Sequence, residues 1–253
     1  MQAKALILNL LGAHGDVLDV GALIRAGGVF ALEPGTVRVA LSRLARSGLV
    51  EQVGRGRWAM SSAATPLAGL VGTWRTLEAL VRPWEGTWVG VATGGLDSGR
   101  SVARQRRRAL DLLGFRTLRP GLEIRPDNRR DSLRERLASL GVVAPVFAVG
   151  DLGSDQAAAE GLWDTEALAA GYAARRTAIA RATAEIVDLP RPEAARRSWN
   201  VGTRAIRTLA LDPLLPEAMV DVGARRALAE EMQGFDQLGR RIWLDLLSPR
   251  GVA

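Results

Sequence analysis

Between Glu33 and Met60 the spacing of hydrophobic and polar positions changes period. Val37, Ala40, Leu41 and Leu44 recur at i, i+3, i+4 and i+7, the apolar stripe of a helix. The opposite side of that helix carries Thr36, Arg38, Ser42, Arg43 and Arg46. Pro34 stands where a first-turn proline is tolerated, and Gly48 where a helix commonly stops. Leu49 to Val53 then reads as a strand, Gly54-Arg55-Gly56 as a tight turn, and Arg57 to Met60 as the returning strand.

The same reading extends along the chain. Ala3 to Ala13 is a helix with a broad apolar face (Ala5, Leu6, Leu8, Leu10, Leu11), and Asp16 to Leu32 is a loop and a second helix. Helix, helix, helix, strand, strand is the order of a winged helix-turn-helix, placed at 1–67 and closed by the proline-containing Ser61 to Leu67. Ala68 to Val81 is expected to be a connecting helix within a linker at 68–83.

From Trp84 the pattern reads strand (Thr87–Thr93), helix (Ser101–Leu113), strand (Phe115–Leu118), strand (Leu122–Arg125), helix (Asp131–Leu140) and strand (Val142–Val149). This β-α-β-β-α-β order predicts a ferredoxin-like domain at 84–153. Residues 154–253 read as an all-helical third domain. Its helices are Trp163–Ile186 with a break near Gly171, Arg191–Leu211, and a last pair over Ala218–Leu247 split near Gly234. The predicted fold class is α+β.

Composition narrows the function classes. The 47% hydrophobic and 24% charged fractions are those of a folded globular chain. No apolar run is long enough to span a membrane as a helix. The N-terminal stretch suits a first helix better than a signal peptide, so a cytoplasmic protein without membrane partners is expected. With no cysteine, disulfides, thiolate nucleophiles and zinc-thiolate sites are excluded. The net charge of +7 favours a polyanionic partner. Lys4 is the one lysine, and the arginine bias together with the Ala/Gly/Val richness also fits a GC-rich genome.

No catalytic constellation can be assembled. The single histidine, His14, ends the first helix, which disfavours Ser-His-Asp and Cys-His chemistry. Gly94-Gly95-Leu96-Asp97-Ser98-Gly99 lacks the Gly-Lys-Ser/Thr ending of a phosphate loop and reads as a loop. A metal-dependent nuclease or an RNA-binding protein built on the ferredoxin-like unit is the alternative. A nuclease would want a carboxylate where the first strand ends in Val91-Ala92-Thr93, with Asp97 several residues on. An RNA-recognition domain would want strand aromatics, and Phe115 stands nearly alone. The chain is therefore expected to be no enzyme and to need no cofactor or metal. Arg104, Arg106, Arg107 and Arg108 are read as a solvated helix face.

A helix with an apolar inner side and an Arg/Ser/Thr outer side, followed by a basic hairpin, suits a DNA duplex. Thr36, Arg38, Ser42, Arg43 and Arg46 are the candidate major-groove contacts, and Arg55 and Arg57 those to the flanking backbone or minor groove. Three segments, VRVALSRLARSGLVEQVGRGRW, GFRTLRPGLEIRPDN and RTLALDPLLPEAM, together resemble the PaaX family, the phenylacetic-acid-degradation repressors of bacteria. The resemblance covers nearly the whole chain. It departs where the family often carries Trp-Pro-Gly and this chain has Val220-Asp221-Val222-Gly223. It implies a homodimeric repressor of an aromatic-acid catabolic operon, dimerised through the middle domain and released by an aryl-CoA thioester such as phenylacetyl-CoA. Trp163, Trp199, Arg204 and Arg207 are the candidate effector contacts, since they combine aromatic surface with guanidinium groups able to pair a phosphate.

Overall fold

The computed structural model describes residues 2–14, 17–61, 73–96 and 99–248. The fold class is α+β, and the contacts divide the chain into two compact units. Neither is one continuous stretch. The first comprises 1–73, 177–205 and 231–253, and the second 74–176 and 206–230. The helices expected to form a separate third domain are thus shared out: Thr165–Ile186, Arg191–Ala210 and Val222–Leu247 each contribute residues to both units.

The first unit begins with α1 (Ala3–His14), β1 (Leu18–Asp19), α2 (Val20–Val29) and α3 (Pro34–Arg46), followed by β2 (Val50–Gly54) and β3 (Arg57–Met60). The two-residue β1 is absent from the pattern reading. It pairs antiparallel with β3 through Leu18↔Trp58 and Asp19↔Arg57, giving a three-stranded sheet in the order β1-β3-β2. Asp19 also caps α2, its carboxylate accepting the Ala22 N–H at 2.7 Å. Val37, Leu41 and Leu44 of α3 bury against Leu6, Leu10, Leu23 and Ala26. The same core takes in Ala195, Trp243 and Leu247 from the distant helices. Phe30, Trp199 and Trp243 form a mutual aromatic cluster, with ring centroids 5.6–6.3 Å apart.

The second unit carries a four-stranded antiparallel sheet of β4 (Trp88–Ala92), β5 (Arg116–Arg119), β6 (Leu122–Pro126) and β7 (Val146–Val149), in the order β5-β6-β4-β7. Between these strands lie α4 (Arg100–Leu112) and α5 (Leu133–Ser139), which bury Ala109, Leu110, Leu133 and Leu137 with Val89, Val91 and Phe115 of the sheet side. The expected strand over 142–149 is shortened to its second half. Gly141 turns the chain at φ +75°, Val142 is buried, and Pro145 has no N–H to give a ladder, although its carbonyl accepts from Ala92 at 3.1 Å.

Two expected helix breaks are also corrected. Thr165–Ile186 runs through Gly171 and Val222–Leu247 through Gly234. Neither glycine has a neighbour that a side chain would meet, so each costs the helix only about 1 kcal/mol. Packing by Leu228, Met232, Phe235 and Trp243 outweighs that cost in the last helix. Of the expected connecting helix, 68–72 lie outside the described residues, as does most of Ser61–Leu67. Thr73–Leu80 is a 3-10 segment kinked at Thr76. Among the described residues no helix is long and apolar enough to cross a membrane.

Candidate nucleic-acid interface

The α3 helix is fixed at both ends by its sequence. Pro34 fills the first turn, with Glu33 extended ahead of it at φ −64°, ψ 142°. At the other end Gly48 adopts φ +69°, the Leu49 N–H reaches the Leu44 carbonyl and the Gly48 N–H that of Ala45, both at 3.0 Å. This is a Schellman stop, which sends the chain straight into β2. On the inner side Gly27 of α2 approaches so closely that a Cβ there would meet the Val37 side chain at 2.7 Å.

With the inner side sealed, Thr36, Arg38, Ser42, Arg43 and Arg46 all lie exposed on the outer side. The hairpin puts Arg55 at its tip beside Gly56, which takes φ +70°, and Arg57 at the start of β3; both arginines are exposed. Among the described residues the guanidinium groups of Arg38, Arg43, Arg46, Arg55 and Arg57 have no hydrogen-bond or ion-pair partner. An open groove of about 730 Å³ runs along α3, lined by Thr36, Val39, Ala40, Arg43 and Ser47 and, from α1, by Lys4. The seven residues singled out as DNA contacts therefore lie at the surface of one unit, five of them with unsatisfied cationic groups.

The residues singled out for an effector are not gathered in this way. Trp163 and Arg207 belong to the second unit, Trp199 and Arg204 to the first. Trp163 is buried, donates its indole N–H to the Gly114 carbonyl at 3.2 Å and stacks on Trp88 at 6.2 Å. Trp199 is held edge-on to Phe30 and Trp243. Both rings serve their cores, while Arg204 and Arg207 are exposed. On α4, Arg107 is not merely solvated: it pairs with Glu123 at 2.9 Å and with Asp111. Asp97, the carboxylate of the nuclease alternative, and the side chain of His14 lie outside the described residues. Among those described, no group of three or more His, Asp or Glu side chains is assembled for a metal.

Sequence reasoning missed a buried polar network in the second unit. Arg125 is fully buried and donates to the carbonyls of Leu113, Pro126 and Pro213 and to the Asn128 side chain. Asn128 in turn donates to the Leu214 carbonyl at 2.6 Å, and Leu214 sits at φ +53°. The Asp212 carboxylate accepts from the Tyr172 hydroxyl at 2.5 Å and the Leu214 N–H at 2.8 Å. Arg225, also buried, binds Glu78 at 3.0 Å and the Leu215 carbonyl at 3.2 Å. Thus GLEIRPDN and LDPLLP, two of the three segments behind the family resemblance, are two sides of one clamp. Burial is the main cause that lowers the Arg125 pKa, to about 9, with neighbouring Arg129 adding to it. Burial likewise raises that of Asp212 against the pull of Tyr172 and Arg225.

No protein-family model matches the chain, and no curated protein does. Among solved structures it is similar to an uncharacterized protein, Rv0674, from Mycobacterium tuberculosis, at a TM-score of 0.69 and 19% identity, over 98% of this chain and 99% of that one. At that identity the likeness concerns the fold alone.

Proposed function

We propose that the protein is a DNA-binding transcriptional regulator whose first unit is a winged helix-turn-helix, with α3 in the major groove and the β2–β3 hairpin as the wing. The observation that carries this reading is the set of five arginines on α3 and the hairpin that no described residue neutralises. Cationic groups carried on a helix face and an adjoining hairpin and left unsatisfied suit a row of phosphates and guanine edges. The element order, the short β1 strand against β3 and the sealed inner face of α3 support the same assignment.

The finer reading of the second unit is a ferredoxin-like dimerisation domain. Its strand order β5-β6-β4-β7 fits the split βαβ pattern. Among the described residues β7 has a strand neighbour on one side only, with Phe147 of that strand 42% exposed, which suits a second copy. A two-fold dimer would set two α3 helices about 34 Å apart on adjacent turns of the duplex. The PaaX resemblance makes the regulator a repressor of aromatic-acid catabolism, released by an aryl-CoA thioester; Trp163 and Trp199, spent on core packing, are not put forward as its contacts.

The test is a mobility-shift assay with duplex DNA and Mg²⁺ across a salt series. The expected outcome is a shift without cleavage that weakens steeply with salt. The Arg43→Ala/Arg46→Ala double variant should weaken it by roughly 30-fold or more, at about 1–3 kcal/mol per contact, with its melting temperature unchanged. A shift unaffected by that variant would defeat the assignment of α3.

A further inference from the structure

Val39 holds a position on α3 that solvation does not account for. At about 100° per residue, it lies diametrically opposite the arc of Val37, Leu41 and Leu44 that enters the core. It is 50% exposed, at the apex of the outer side. Exposed helix positions are better served by Ala, Arg, Glu or Gln than by a β-branched residue. Its neighbours one turn away on the surface are Thr36, Ser42 and Arg43, with Arg46 two turns on along nearly the same line. It also lines the groove shared with Lys4, Thr36 and Arg43, to which Leu32, Ala40 and Leu44 contribute on the side nearer the core. On the outermost arc of the helix this apolar side chain stands among Thr36, Ser42, Arg43 and Arg46. A lone exposed valine is ordinary elsewhere on a surface; here it occupies the centre of the charged face.

The ligand implied must combine negative charge at the rim with a small apolar group in the middle. Duplex DNA does: phosphates flank the major groove, and the C5-methyl of thymine is the apolar feature that base pairs present on its floor. We infer that Val39 is a specificity-determining residue that packs its two methyl groups on the C5-methyl of one thymine in each half-site, while Ser42, Arg43 and Arg46 contact the neighbouring base edges and phosphates. This rests on the DNA reading of α3 and adds to it a base identity.

The test uses the full chain and a duplex selected from a randomised pool. Each thymine of that duplex is replaced in turn by deoxyuracil, which removes the methyl group and nothing else. For the wild type, one position per half-site should weaken binding roughly three- to tenfold, the worth of one methyl contact removed from water. In Val39→Ser the penalty at that position should fall below about twofold, and in Val39→Ile it should return. Binding that is lost in Arg43→Ala/Arg46→Ala, yet shows no deoxyuracil-sensitive position or keeps the same penalty in Val39→Ser, overturns the inference and leaves the DNA reading standing. A pool that yields no bound duplex, or binding indifferent to the Arg43/Arg46 variant, overturns both.

Discussion

The two units use the same side chain for opposite ends. On α3 and the hairpin of the first, Arg38, Arg43, Arg46, Arg55 and Arg57 are exposed and, among the described residues, unpartnered. In the second, Arg125 is buried among three carbonyls and Asn128, Arg129 pairs with Asp131 at 2.6 Å, Arg107 with Glu123 at 2.9 Å, and Arg225 with Glu78 at 3.0 Å. A net charge of +7 conceals this division. These four arginines of the second unit are consumed in its own contacts, while Arg100, Arg108 and Arg207 of that unit are exposed. Those on the α3 face and hairpin of the first remain available to an outside polyanion. Partner charge is therefore to be read from unsatisfied guanidinium groups, not from a residue count.

Substitutions that cross this divide should differ sharply in their effect on stability. The largest loss is expected for Arg125→Ala, at about 3–5 kcal/mol by urea denaturation, because it strips buried carbonyls and the Asn128 oxygen of their donor. A loss below about 1 kcal/mol would mean that the 212–216 segment is held by other contacts.

Glu78→Gln should cost less, about 1 kcal/mol at neutral pH, since the carboxylate is 35% exposed and partly screened. Burial alone would raise the Glu78 pKa, but the hydrogen bonds and charges of Arg225 and Arg226 hold it below the ordinary 4.5. A carboxyl depressed in the folded state stabilises the fold above its unfolded pKa, and that contribution vanishes as pH falls through the folded value. The gap between wild type and Glu78→Gln should thus be full above pH 4.5 and close on further acidification. A gap independent of pH would remove the ion pair from the account.

The smallest effects are expected on the exposed face. Arg38→Ala and Arg46→Ala should each shift stability by no more than roughly 0.5 kcal/mol. A loss above about 1 kcal/mol would place these side chains with the structural arginines of the second unit.

What was legible in the sequence was local. The period of Val37, Leu41 and Leu44, with Pro34 ahead and Gly48 behind, locates α3 because each signal acts within a turn or two. The same holds for β4 and for the α4 helix. The two-residue β1 carries no periodicity of its own and exists only because β3 pairs with it. Gly171 and Gly234 suggest breaks through a propensity that packing overrides in both helices. The clamp was out of reach for a different reason: Arg125 and Pro213 lie 88 positions apart, and nothing local marks Arg125 as buried rather than solvated. The surroundings of Trp163 and Trp199 were equally out of reach, since an aromatic ring looks the same in sequence whether it meets a ligand or packs on Trp88 or Trp243.

The core beneath α3 includes Trp243 and Leu247. During synthesis the platform for the outer arginines is therefore left incomplete until the helix over Val222–Leu247 has emerged from the ribosome. A nascent or shortened chain would display the outer arginines above a hydrophobic floor still open to water.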